Sequence, residues 1–333
     1  MKTHHFVGEI KIKQSWWSKM KYLLFVSLFV LTLSGPAVEP KDSDLVAPQE
    51  MIDEINRVQD LWIASSEWVG NMTFAQAKLY ASSKLEAKKF PEKDWGALLD
   101  YLSIPASFDS RTQWPYCTKP LWYGDDCNAG WAFAAAETMT DRFCIATKGA
   151  FNITFSPLYL IICDVTLPEL GCLGGTAENC WDYMRTTGIT SIKCFPYNPG
   201  DWNQYCPYDE CRWGTEITLY KTLSVNTFTS PSSIQAEILQ NGPIEATMTV
   251  YADFQAYKGG IYKHTTGGLV GYTSVKIIGW GNQSGTNYWI AGTSWGSTWG
   301  MKGYFNIAFG QCGIDRAGVA GPPDLSNIPT IKI

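Results

Sequence analysis

Cys127-Asn128-Ala129-Gly130-Trp131-Ala132-Phe133 opens a run in which Trp131, Ala135, Thr138, Met139 and Arg142 recur at helical spacing. The run stops near Gly149, as expected of a helix ended by a glycine that accepts a left-handed backbone. The spacing therefore predicts a helix whose first turn lies at Gly130. After Thr215 the pattern becomes strand-like, in Ile244–Tyr251, Ser274–Gly279, Tyr288–Gly292 and Tyr304–Phe309, with Asn282-Gln283-Ser284-Gly285 as a turn. Before the quoted run, Val46–Lys89 is again helical in period, with Met51, Ile55, Val58 and Trp62 on one face, and Pro91 to Ser103 reads as a linker. Helices ahead of strands define an α+β chain.

The chain of 333 residues is 45% apolar and 14% aromatic, enough to bury a large core. A net charge of −5 offers no basic stripe for nucleic acid. Met20-Lys21, the apolar run Tyr22–Leu33 and then Ser34-Gly35-Pro36-Ala37 have the layout of a secretory signal, too short to serve as a stable membrane anchor. Ten cysteines fit an oxidising compartment. Cys206 and Cys211 lack the partners of a zinc site, and nothing implies a metal or other cofactor. Asn71, Asn152 and Asn282 open Asn-x-Ser/Thr sequons and are glycosylation candidates.

The quoted run resembles the Cys-Gly-Ser-Cys-Trp-Ala-Phe run of papain-family cysteine peptidases, in their cathepsin B-like branch. Ile104-Pro105-Ala106-Ser107-Phe108-Asp109 looks like the start of a mature enzyme, and Gly171-Cys172-Leu173-Gly174-Gly175 like the wall of its cleft, with Leu173 replacing an amide. Asn241-Gly242-Pro243-Ile244-Glu245, Ile278-Gly279-Trp280-Gly281, Ser294-Trp295-Gly296-Ser297-Thr298-Trp299-Gly300 and Cys312-Gly313-Ile314 follow in the family's order. The resemblance implies a two-lobed papain-like fold, a helical lobe against a β-barrel-like lobe with a cleft between. It divides the chain into 1–37 (extension and signal), 38–103 (propeptide-like segment and linker) and 104–333 (peptidase domain). It implies the disulfides Cys117–Cys144, Cys127–Cys172, Cys163–Cys206 and Cys194–Cys211, leaving Cys180 and Cys312 open. It places Gly174, Gly175, Tyr272 and Trp295 in a peptide-binding cleft.

The same alignment puts Gly130 at the nucleophile, Thr273 at the histidine, Thr293 at the orienting asparagine and Gly124 at the glutamine that donates to the oxyanion. A cysteine peptidase needs a thiolate and a proton acceptor beside it, and none of these residues supplies either. Beyond the signal the one histidine is His264, expected in a solvated hairpin. Ser274 and Lys276 fall on one strand face and form the alternative hydroxyl–amine pair, against which stands the reading of Lys276 as a solvent-facing lysine. Tyr272, where relatives carry glycine, is expected to fill the vacated site with its ring. The loop from Cys194 to Cys211 is short and lacks the paired histidines with which cathepsin B-like enzymes hold a substrate's C-terminal carboxylate.

The expected function is that of a catalytically inactive homologue, secreted or lysosomal/vacuolar, which binds peptides, protease inhibitors or active cysteine peptidases. The alternatives are a hydrolase using other residues, and a structural secreted protein.

Overall fold

The computed structural model describes residues 39–85, 89–119, 127, 129–166, 171–198, 205–207 and 209–328. The signal-like segment, Gly124 and Asn128 lie outside them.

The N-terminal periodicity resolves into more than one element. Helix α1 (Gln49–Val58) buries Ile52 and Ile55 and then ends at Gln59. The Gln59 side chain stops it, because Oε1 accepts from the backbone N–H of Leu61 and Trp62 while Nε2 donates to the carbonyl of Trp62. Val58 is consequently half exposed, and Trp62 sits on strand β1 (Trp62–Ala64) instead of the expected helical face. Helix α2 (Phe74–Tyr80) follows behind a reciprocal Thr73–Gln76 capping box.

Helix α3 (Gly130–Ala146) is the predicted central helix, buried on all sides from Gly130 to Cys144. It ends as its sequence implies: Gly149 takes φ +86° and its N–H returns to the carbonyl of Cys144. Helices α4 (Pro157–Cys163) and α5 (Ala177–Thr186) pack against it, capped by Ser156 and Thr176. Helix α6 (Pro231–Asn241) is capped by Ser230 and ended by Gly242 at φ +97°.

The strands after β1 are β2 (Phe108–Asp109), β3 (Asn226–Phe228), β4 (Ile244–Tyr251), β5 (Tyr257–Tyr262), β6 (Leu269–Gln283), β7 (Thr286–Gly292), β8 (Tyr304–Ala308) and β9 (Gly318–Ala320). They join in the order β1-β5-β8-β7-β6-β4-β9-β3, with β2 alongside β6. Among these strands of the described residues, β5 and β8 pair parallel and the other pairs are antiparallel. This is an open sheet, not the barrel-like closure expected, because β1 and β3 end the order without pairing to each other. The predicted turn joins β6 to β7 through Ser284 and Gly285, both with positive φ, as a two-residue hairpin loop requires.

Lys41–Ile333 forms one compact unit. Val46, Ile52, Ile55, Trp62, Phe74 and Ala77 of the N-terminal segment share their hydrophobic core with Trp131, Phe254, Trp295 and Trp299. All four disulfides implied by the resemblance are present, and Cys180 and Cys312 take no part in a disulfide. Among the described residues no helix is long and apolar enough to cross a membrane, and no group of side chains is arranged to hold a metal ion.

Candidate functional site

The start of α3 is fixed from two sides. The Cys127–Cys172 disulfide ties the chain before it to the turn Gly171–Leu173, and Trp131 Nε1 donates to the carbonyl of Gly171 at 3.2 Å. Opposite, β6 carries Thr273 and Ser274 past Gly130, held in register with Met248 and Thr247 of β4. A Cβ built on Gly130 would lie 3.1 Å from Thr273 Oγ1, 3.4 Å from the carbonyl oxygen of Ser274 and 3.6 Å from its nitrogen. The positions taken from sequence as nucleophile and base are therefore neighbours. Between them stand a hydrogen and a hydroxyl.

Thr293 lies one residue beyond β7, 2% exposed, with its N–H on the carbonyl of Gly303 and its Oγ1 accepting from the N–H of Trp295 at 3.2 Å. Among the described residues no hydrogen bond joins it to Thr273. Tyr272 does not fill the vacancy: successive strand residues face opposite ways, so what meets Gly130 is Thr273. Tyr272 contributes its carbonyl instead, to the backbone N–H of Ser83.

Lys276 is not solvent-facing, and its fit as a base for Ser274 is poor. It is fully buried, 2.9 Å from Asp141 Oδ2 and 3.6 Å from Glu137 Oε2, and donates to the carbonyl of Lys119. Burial alone would pull its pKa down, but Asp141 and Glu137 outweigh that and hold the ammonium above its usual range. His264 likewise departs from the solvated hairpin expected. It is partly buried, stacked on Tyr251 at 3.8 Å between ring centroids, with Nδ1 3.1 Å from both carboxyl oxygens of Asp253. Asp253 also accepts from Tyr262 Oη and the N–H groups of Thr265 and Thr266, so this cluster fixes a loop.

The cleft residues named from sequence all meet one partner, the chain's own N-terminal segment. Ser83 N–H donates to Tyr272 and Lys84 N–H to Gly175, at 3.0 and 2.8 Å, and Trp295 Nε1 donates to the carbonyl of Tyr80. Gly174, at φ +111°, lies so close beneath the carbonyl of Ser82 that a Cβ there would stand 2.1 Å from its oxygen. Trp68 stacks on Trp295.

Sequence reading missed what lies under Ser83. The Ser83 hydroxyl donates to Ser274 Oγ at 3.1 Å, and Ser274 Oγ is 3.3 Å from Thr247 Oγ1. Two residues before Thr247, Glu245 accepts from Trp181 Nε1 at 2.8 Å. Burial raises the Glu245 carboxyl well above its usual pKa, favouring the neutral form, and Trp181 and Ser274 offset this only in part. The signal was available: Glu245 and Thr247 on one predicted strand, Ser274 and Lys276 on another, are polar residues at alternate positions of otherwise apolar runs.

Comparison with known proteins agrees with this architecture. The model of the papain family cysteine protease matches residues 104–321. Cathepsin B-like cysteine proteinase 5 of Caenorhabditis elegans is 34% identical over 93% of this chain and 99% of its own length. Cathepsin B-like cysteine proteinase 4 of the same organism is 36% identical over 92% of this chain and 100% of its own. Among solved structures, procathepsin B S9 from Trypanosoma congolense superposes with a TM-score of 0.78 at 30% identity, covering 84% of this chain and 99% of that one. The chain belongs to the papain family of cysteine proteases and is cathepsin B-like.

Proposed function

From that membership and the geometry at Gly130, we propose that this protein is a cathepsin B-like homologue without cysteine-protease activity, whose cleft binds extended peptide. The observation that carries the reading is the pairing of Gly130 with Thr273 Oγ1, 3.1 Å from where a Cβ would stand. No thiolate forms on glycine, and a threonine hydroxyl does not take a proton near neutral pH. Thr293 Oγ1 accepts from the N–H of Trp295, and Lys276 is held as a cation by Asp141, which weakens the case for a hydroxyl nucleophile. Peptide binding is supported by the backbone pairing of Ser83 and Lys84 with Tyr272 and Gly175, main-chain bonding that tolerates many sequences. Peptides, protease inhibitors and active cysteine peptidases present such extended segments. Four disulfides and the signal-like N-terminus fit passage through the secretory pathway to the outside or to a lysosome or vacuole.

The test is hydrolysis of a diverse peptide library by the purified protein, cut at a site introduced in the linker before Ile104, with and without thiol reagents. Saturable binding without turnover is the expected result. Turnover that copurifies with the protein and vanishes in Lys276→Ala would replace this reading with that of a hydrolase, and neither binding nor turnover would leave a structural role.

A further inference from the structure

Ser83 is 4% exposed, although it belongs to an extended segment laid over the cleft. Its backbone bonds to Tyr272 and flanks that of Lys84 to Gly175, contacts that any residue makes. What distinguishes Ser83 is its side chain, enclosed and donating to Ser274 Oγ, which in turn meets Thr247 Oγ1. Ser274 and Thr247 are directly opposite one another on β6 and β4 and are 1% and 3% exposed. Glu245 lies on the same face of β4, fully buried.

We propose that the cleft contains a hydroxyl-selective side-chain pocket, made by Ser274 and Thr247 above Glu245, that takes a serine or threonine of an extended peptide and is filled by Ser83 of the chain's own N-terminal segment. The inference rests on the peptide-binding reading and names the residue class it selects. The physical reason is the asymmetry of buried polar groups: a hydroxyl completes the Ser274–Thr247 pair, whereas an apolar side chain seals it from water and returns nothing. Gly174 beneath Ser82 sets the depth, since the peptide backbone reaches the pocket only where no Cβ intervenes.

The full chain, cut at a protease site inserted between Leu102 and Ser103, holds its N-terminal piece by non-covalent contacts alone. The probe is a synthetic peptide of residues 78–85, Lys-Leu-Tyr-Ala-Ser-Ser-Lys-Leu, competing for the place of that piece. The peptide as written and its Ser83→Thr form are expected to displace the piece at similar concentrations. The Ser83→Ala and Ser83→Val forms need roughly two- to tenfold more, the loss that follows from removing one buried hydrogen bond. A body carrying Ser274→Ala and Thr247→Val abolishes that preference. Equal displacement by the Ser and Ala peptides overturns the pocket and leaves peptide binding standing; displacement by no peptide removes both. A second measurement uses the uncut chain: thermal unfolding of Ser83→Ala, Ser274→Ala and the double variant, where strict additivity also overturns the proposal.

Discussion

The two ends of α3 are built on opposite terms. At its first residue Gly130 has no side chain and faces one threonine hydroxyl. In its last third every formal charge has a partner: Asp141 holds Lys276, and Arg142 pairs with Glu237 while donating to the carbonyls of Gly242, Pro243 and Gly321. Lys93, from the linker, reaches the same Glu237 at 2.6 Å. The difference separates what holds the fold from what does the family's chemistry. Charges that lock α3 to β6, α6 and the linker are expensive to disturb, whereas the opening residue of the helix can change without loss of the scaffold.

The comparison breaks most directly at the charged end. Lys276→Met leaves Asp141 buried without its cation and is expected to lower stability by about 3–5 kcal/mol, seen as a shift of the denaturant midpoint. A loss under about 1 kcal/mol would mean the pair is not what fixes the helix to β6. Glu237 adds a pH signature. Burial alone would raise its pKa, but Arg142 and Lys93 outweigh it, so the folded value lies below 4.5. Its contribution is therefore complete above about pH 4.5 and is lost as pH falls through the depressed folded value. Acid titration of the unfolding free energy should show that loss, and Glu237→Gln should remove it.

Replacing Cys127 and Cys172 together by alanine frees the tether at the helix start. The two are 45 residues apart, and removal is expected to cost about 2–5 kcal/mol while leaving the spectrum of the fold intact. Gly174→Ala strains a left-handed backbone and collides with Ser82, for a loss on the order of 1–3 kcal/mol. Its sharper readout is proteolysis: the segment Ala81–Leu85 should become cleavable while the body stays resistant. The smallest effect is predicted at the helix opening. Gly130→Cys should change stability by no more than about 1 kcal/mol, since helix propensity improves while Thr273 Oγ1 must yield a few tenths of an ångström. No peptidase activity should appear, because the sulfur gains no proton acceptor. The triple variant with Thr273→His and Thr293→Asn should remain weak until Gly124→Gln is added, and strong turnover from Gly130→Cys alone would sink the account of this site.

The elements that were legible in sequence are those whose physics is local. The central helix with its glycine stop, the β6–β7 turn at Ser284-Gly285 and the runs of β4, β7 and β8 all follow from spacing and turn chemistry. Val58 and Trp62 were misplaced because a side chain, Gln59, ends α1, and composition does not announce that bond. The surroundings of Lys276 and His264 were misjudged because the acids beside them, Asp141 and Asp253, stand elsewhere in the chain and meet them only after folding. Openness of the sheet is equally non-local, being decided by whether the two outermost strands pair.

The pairing of β1 with β5 also sets a timetable. Trp62 Nε1 donates to the carbonyl of Lys263, 201 residues away. At a synthesis rate of about 5–20 residues per second, the earliest-made strand waits roughly 10–40 s for its partner to emerge. Throughout that interval the apolar face of α1, with Ile52 and Ile55, has no β5 edge beside which to settle. Strand β1 thus waits for a partner made long after it, and α1 beside it shares that delay.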